Sequence, residues 1–309
     1  MNANHTNSKS SQTTKKADAH QTACEKSDIY QTITDKIIEA LEAGSAPWVK
    51  PWASLGAPRN AITGREYSGI NTVLLAMTEF SSNQWLTFQQ ARQAGGNVKK
   101  GEKGTTVVFF KPLTIKEKAE AQGDDKEKVI PLLRTFTVFN TQQIENLPEK
   151  FNQPIKPQLS EFEDNAAAET LLNQAKIQYG MNRACFIPSL DKIHLPNKTD
   201  FKSIPDFYAV ALHELTHWSG HKNRLARDFS GRFGDAAYAF EELVAELGAA
   251  FLCASTGVDG QLQHDSYIAS WLKVLKNDKK AIFTAAAAAR KASEFLTADQ
   301  NEDCESAAA

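Results

Sequence analysis

Hydrophobic and polar positions divide the chain into a front stretch of changing periodicity and a rear stretch dominated by helical spacing. Asp28 can cap a helix in which Ile29, Ile33, Ile37, Ile38 and Leu41 recur at helical intervals, and Gly44 supplies its stop. Residues 70–80 read as an apolar helix and 88–94 as a short one ended by Gly95 and Gly96. Residues 105–110 are β-branched and aromatic, a strand, with 133–139 as its returning partner. The charged segment 116–128 between them is expected to be a mobile hairpin tip.

Pro148, Pro154 and Pro157 fall in a stretch without periodicity, which predicts a linker over 148–160. Beyond it, helices are predicted over 161–177, 204–219, 236–255, 264–276 and 279–296. Two short extended pieces lie near 184–187 and 192–195. The expected fold class is therefore α+β. A small α+β domain spans 27–147, and a mainly helical domain with a short sheet spans 161–297. Residues 1–26 hold almost no large apolar side chains, so they and the polar residues 298–309 are expected to be disordered tails.

Composition narrows the class without naming it. A chain of 309 residues that is 41% hydrophobic and 23% charged can bury a core. It has no apolar run of membrane-spanning length and no secretory leader pattern. Cys24, Cys185, Cys253 and Cys304 are far apart and form no CxxC pair, so a disulfide framework is not expected and a reducing cytoplasm fits. The net charge of −2 hides an uneven distribution. Residues 28–150 carry 15 basic and 14 acidic groups, whereas 151–309 carry 16 basic and 21 acidic. A polyanion would meet the front more favourably than the back.

The most specific chemical signal is His213-Glu214-Leu215-Thr216-His217, inside an apolar run without a helix breaker. Ser203 three residues before Asp206, with Pro205 between, marks a helix start. A spacing of four stacks both imidazoles on one helix face, where they can grip one Zn²⁺ at about 2.0–2.1 Å. Glu214 then stands beside the ion as a general base. The competing reading, a helix with two surface histidines, fits poorly with apolar surroundings.

Three positions can supply a third ligand. A histidine six residues after His217 would match metzincins, but position 223 is Asn and no methionine follows the motif. His221 lies just past Gly220, where the helix should end, and is better read as solvated or as a support behind the ligands. Glu242 is preferred. It and Glu246 stand four apart on one face of an otherwise apolar helix, and buried carboxylates need partners. Glu242 can bind the ion, and Glu246 can take the free N–H of a metal-bound histidine. Glu241, about 100° away around the helix, is the lesser candidate and more naturally faces solvent or a basic partner. The segment 183–195 can be either ordinary sheet or an edge that receives substrate by β-addition. Mn²⁺ or another divalent metal could replace Zn²⁺.

In the front half, Arg92, Lys99, Lys100, Lys103 and Lys111 face Glu102 alone over residues 92–111. Trp48, Trp52, Tyr67 and Trp85 lie in or beside polar turns. Cations and rings together can suit single-stranded nucleic acid, although a solvated charged turn over an aromatic core explains the same residues.

Longer segments carry a family resemblance. Pro47-Trp48-Val49-Lys50-Pro51-Trp52, the segment Thr63-Gly64-Arg65-Glu66-Tyr67-Ser68-Gly69-Ile70-Asn71, and Gly101-Glu102-Lys103-Gly104 resemble the ArdC N-terminal domain family. The metal motif through His221, Asn223-Arg224-Leu225, and Glu241-Glu242-Leu243-Val244-Ala245-Glu246-Leu247-Gly248 resemble the zincin-like metallopeptidase domain that follows it. The chain is also similar to the N-terminal part of TraC-type plasmid primases. The resemblance implies an antirestriction protein of a conjugative plasmid or similar element, protecting incoming DNA from host restriction enzymes. It implies single-stranded DNA as a partner, with Trp48, Lys50, Trp52, Arg59, Arg65, Tyr67, Lys99, Lys100 and Lys103 as candidate contacts. A restriction enzyme or another DNA-bound protein is the candidate peptidase substrate. A non-catalytic DNA shield with a structural metal site is the rival expectation.

Overall fold

The computed structural model describes residues 28–48, 56–78, 80–117, 126–151, 164–231, 235–260 and 267–306. Helix α1, Ile29–Glu42, starts where the Asp28 carboxylate accepts the N–H groups of Tyr30 and Gln31, and it buries Ile33, Ile37 and Leu41 on one face. Strand β1 is Arg59–Asn60, α2 is Ile70–Ala76 and β2 is Gln84–Thr87. Thr87 and Gln90 form a reciprocal cap for α3, Phe88–Gln93. Strand β3, Asn97–Val98, later pairs with β6, Ile144–Glu145.

The hairpin is longer than the sequence pattern predicts. Strand β4, Thr105–Glu117, pairs antiparallel with β5, Lys126–Asn140, along their whole lengths. Pro112 and Pro131 stand opposite one another inside this ladder, so the two residues that cannot donate to it share one register position. Of the mobile tip expected over 116–128, residues 116–117 and 126–128 instead continue the two strands, and 118–125 lie outside the described residues. The main sheet has the order β1-β2-β5-β4, which leaves β4 at an edge.

The rear half begins with α4, Ala166–Leu172, shorter than the helix expected over 161–177 because Asn165 caps it by accepting the Ala168 N–H. Strands β7, Ile177–Gln178, β8, Cys185–Ile187, and β9, Lys192–His194, form a sheet of order β7-β9-β8. Helix α5, Ile204–Ser219, is capped by Ser203 as predicted. Helix α6, Ala236–Thr256, ends at Gly257, whose φ of 74° a side chain would disfavour. Helices α7, Ile268–Asn277, and α8, Ala281–Ser306, complete the chain. Residues 298–306, expected in a disordered tail, continue α8 because neither Pro nor Gly interrupts them.

Two large cores, beside two smaller ones in the front half, hold these parts. One joins Ile33, Ile37, Leu41, Trp48 and Val73 from the front to Leu243, Leu247, Trp271 and Ile282 from the rear. The other joins Leu171 and Ile193 to Phe207, Leu212, Leu215 and Leu252. Gly248 lies against Thr216, where a Cβ would collide with the threonine side chain. Its lack of one lets α6 lie close enough to α5 for their polar faces to meet. No described helix is long and apolar enough to cross a membrane.

Candidate metal centre and nucleic-acid surface

One turn of α5 and one turn of α6 bring the predicted residues together. His213 and His217 meet edge to face with ring centroids 4.8 Å apart. Glu242 Oε2 is 3.5 Å from His213 Nε2, and Glu242 Oε1 is 3.6 Å from His217 Nε2. Two donors each about 2.1 Å from a tetrahedral centre lie about 3.4 Å apart, so this spacing fits one divalent cation. Ligand atoms of the three residues all lie within 4.8 Å of one another. The Glu214 carboxylate accepts the Phe186 N–H at 2.7 Å, which ties it to β8.

The charge balance fits a cation as well. Glu214, Glu242 and Glu246 are all buried beside two histidines. Burial disfavours a His213 imidazolium, yet the Glu242 hydrogen bond and the charges of Glu246 and Glu214 outweigh it and push its pKa up to about 9. Burial alone would raise Glu242, but its contacts with the two histidines and Tyr238 hold it below the ordinary carboxylate range. A divalent ion placed among these groups supplies the positive charge they lack.

The support behind the ligands is distributed differently from the sequence expectation. Glu246 Oε1 is 3.7 Å from His213 Nδ1, longer than a hydrogen bond, and among the described residues that nitrogen has no hydrogen-bond partner. Glu241 instead reaches His217 Nδ1 at 3.0 Å. It is buried, not solvated, and its basic partner is Arg227, whose Nε and Nη2 donate to the carboxylate at 3.0 and 2.9 Å. Burial would raise Glu241, but His217 and Arg227 hold it low. Arg227 also donates to Thr216 O and Ser219 Oγ, so it fastens the end of α5 to α6. Sequence spacing does not single out Arg227; only its position in a polar loop after the motif hints at a role. His221 is buried 7% exposed, close to Asp191 and Phe186, and takes no part in the ligand cluster.

The cluster opens into a cleft of about 890 Å³ that Cys185, Phe186, Phe229, Tyr238 and Tyr267 help to line. Strand β8 is an edge of its sheet and borders this cleft, whereas β9 is central. The expected edge segment therefore narrows to β8.

The front candidates scatter. Trp48 is 2% exposed and meets Trp271 edge to face at 5.4 Å, so it is a core residue with no free face for a base. Trp85 is equally buried. Tyr67 is half-buried against the Leu75 and Trp85 core. Lys50 and Trp52 lie outside the described residues. Arg59 is half-buried on β1, and Arg65 is exposed on the turn that Asn60 organises through the N–H groups of Ile62 and Thr63. Lys99, Lys100 and Lys103 are exposed on a separate turn, where Lys99 Nζ donates to Gln142 O at 2.8 Å.

Fold and site together define a zincin-like architecture behind a smaller N-terminal α+β region. Residues 166–288 match the family model for a zincin-like metallopeptidase, and residues 27–139 match that for the N-terminal domain of anti-restriction factor ArdC. The metal-free crystal structure of antirestriction protein ArdC from plasmid R388 superposes with a TM-score of 0.74 at 42% identity, covering 87% of this chain and 97% of that one. The Mn(II)-bound structure of ArdC gives 0.71 at 39% identity over the same shares. The chain belongs to the ArdC antirestriction protein family. Protein y4eC of Sinorhizobium fredii, uncharacterized itself, is 38% identical over 89% of this chain and 93% of its own length. DNA primase TraC of Escherichia coli is 38% identical over 88% of this chain, but the chain spans only 27% of that primase.

Proposed function

We propose that this protein is an antirestriction factor of a conjugative plasmid or similar mobile element. Its front half holds single-stranded DNA, and its rear half hydrolyses a protein associated with that DNA. The observation that carries the peptidase reading is the convergence of His213, His217 and Glu242 beside Glu214 at the foot of an open cleft. A structural metal site is closed by its ligands and has no use for a non-ligating carboxylate beside it.

His213, His217 and Glu242 would hold the ion, with Zn²⁺ and Mn²⁺ both compatible with two nitrogens and a carboxylate. When bound, the ion supplies Lewis acidity that polarises a peptide carbonyl and acidifies water. Glu214 takes the proton from the attacking water and returns it to the departing amine. The Phe186 N–H fixes the orientation of that carboxylate. The free edge of β8 offers main-chain groups to an extended substrate. Glu241 and Arg227 keep the His217 ring aimed at the ion, and Glu246 faces the far side of His213.

The cations at Lys99, Lys100, Lys103 and Arg65 give the front half its contacts to phosphate. Bound DNA brings the cleft to proteins acting on the same strand, such as a restriction enzyme.

Glu214→Ala provides the test. The variant should keep its metal, measured by elemental analysis, and lose both hydrolysis of DNA-bound proteins and antirestriction. Retention of both activities would refute the peptidase reading. Retained antirestriction that disappears in DNA-binding variants would favour a non-catalytic shield.

A further inference from the structure

A second cleft, about 460 Å³, lies away from the metal centre and from the lysine turn. Its walls are the 63–71 segment, the edge of β4 at Val108–Phe110, and the α8 residues Phe283, Ala287 and Arg290. Front and rear halves thus build it jointly. Asn71 fixes its floor: its carboxamide accepts the Val108 N–H and donates to the Val108 carbonyl, both at 2.7 Å. Val108 therefore turns its main chain away from β5, and the alternation of an antiparallel ladder puts the Phe110 main chain on the same free edge.

The rings at this edge stay only half covered by the fold. Phe109, Phe110 and Phe136 are 45%, 50% and 46% exposed. Phe109 and Phe136 meet edge to face at 5.2 Å, and Phe110 projects from the opposite side of the strand. Three half-exposed phenyl rings on one hairpin leave apolar area in water that a partner can cover. Guanidinium groups surround them. Arg65 and Arg290 line the cleft, and Arg134 stands opposite Phe109 in the ladder. Glu66 is the one carboxylate in the lining. The Arg290 ion pair with Glu294 is exposed, so an incoming anion can exchange for it.

Rings with open faces beside arginines match a ligand of flat π-systems joined by anions. A duplex hides its base faces in its own stack, whereas a single strand presents them. The geometry points to this cleft as the base-stacking part of the single-strand site, with Phe109 and Phe110 receiving bases and Arg65 and Arg290 holding the flanking phosphates. The inference rests on the single-strand reading above. It assigns base contact to the β4 edge and α8, not to the tryptophan loop, and makes the rear half part of the DNA site.

The test measures binding of the full chain to a fluorescein-labelled oligodeoxythymidine by anisotropy across a salt series. Phe110→Leu keeps the apolar bulk but removes the π-face, and Phe110→Tyr keeps the face. Phe110→Leu and Phe109→Ala should each weaken binding by about fivefold or more, with the salt slope unchanged, while Phe110→Tyr preserves it. Arg65→Ala and Arg290→Ala should each flatten the salt slope by about 0.7. Photocrosslinks from 5-iododeoxyuridine should map to Phe109 or Phe110.

Parental affinity in all these variants, together with loss of binding in the Lys99, Lys100 and Lys103 triple variant, would overturn the cleft assignment and leave the single-strand reading standing. An extended peptide as the true occupant of the β4 edge would give that same unchanged affinity. Failure of the parent to bind the oligonucleotide would overturn both.

Discussion

The metal centre and the front surface use the same kinds of residues in opposite ways. On α5 and α6 the carboxylates of the cluster are buried and the two histidines largely so, and each is placed by helical spacing against a neighbour a few ångströms away. On the front half the lysines are exposed and separate, and the tryptophans that look available in the sequence lie in the core. A buried cluster of charges can be held only by complementary geometry, whereas a solvated cation needs none. Substitutions should therefore act sharply and specifically in the rear and gradually in the front.

The largest effect tests the rear alone. Glu214→Ala is expected to lower hydrolysis by about 100- to 10,000-fold with little change in DNA affinity; parallel peptidase and anisotropy assays would show whether the two regions separate. Next comes Trp48→Ala, which should destabilise the fold by about 3–5 kcal/mol in chemical denaturation, as for a buried ring. Single-strand affinity of the fraction that remains folded should not change. A selective loss of DNA binding at full stability would return Trp48 to the interface.

Arg227→Ala removes the cation from buried Glu241 and loosens His217. Metal affinity by titration calorimetry should fall about 10- to 100-fold, and Arg227→Lys should recover part of it. Arg224 is the control. It stacks on Trp218 at 3.7 Å and pairs with Asp191, without touching a ligand, so Arg224→Ala should leave metal affinity intact. The mildest change is the combined alanine substitution of Lys99, Lys100 and Lys103. It should weaken DNA binding at low salt and flatten the salt slope by about 2 if all three meet phosphate, leaving hydrolysis of a small peptide unaltered. A drop in peptide hydrolysis would show that the two regions are coupled.

The sequence by itself determined the two site helices and the metal cluster's direct donors. His213, Glu214 and His217 stand on one helix, and Glu242 and Glu246 on another, so a period of 3.6 residues converts spacing into a shared face without help from the rest of the chain. Tertiary structure alone decided what Glu241, Arg227, Trp48 and the β4 phenylalanines do. Glu241 takes its meaning from a loop folded back beneath His217, Trp48 from Trp271 across the core, and Phe109 and Phe110 from a strand edge left open beside α8. Those juxtapositions join residues far apart in the chain. Their occurrence depends on how whole elements pack, and no local periodicity records that.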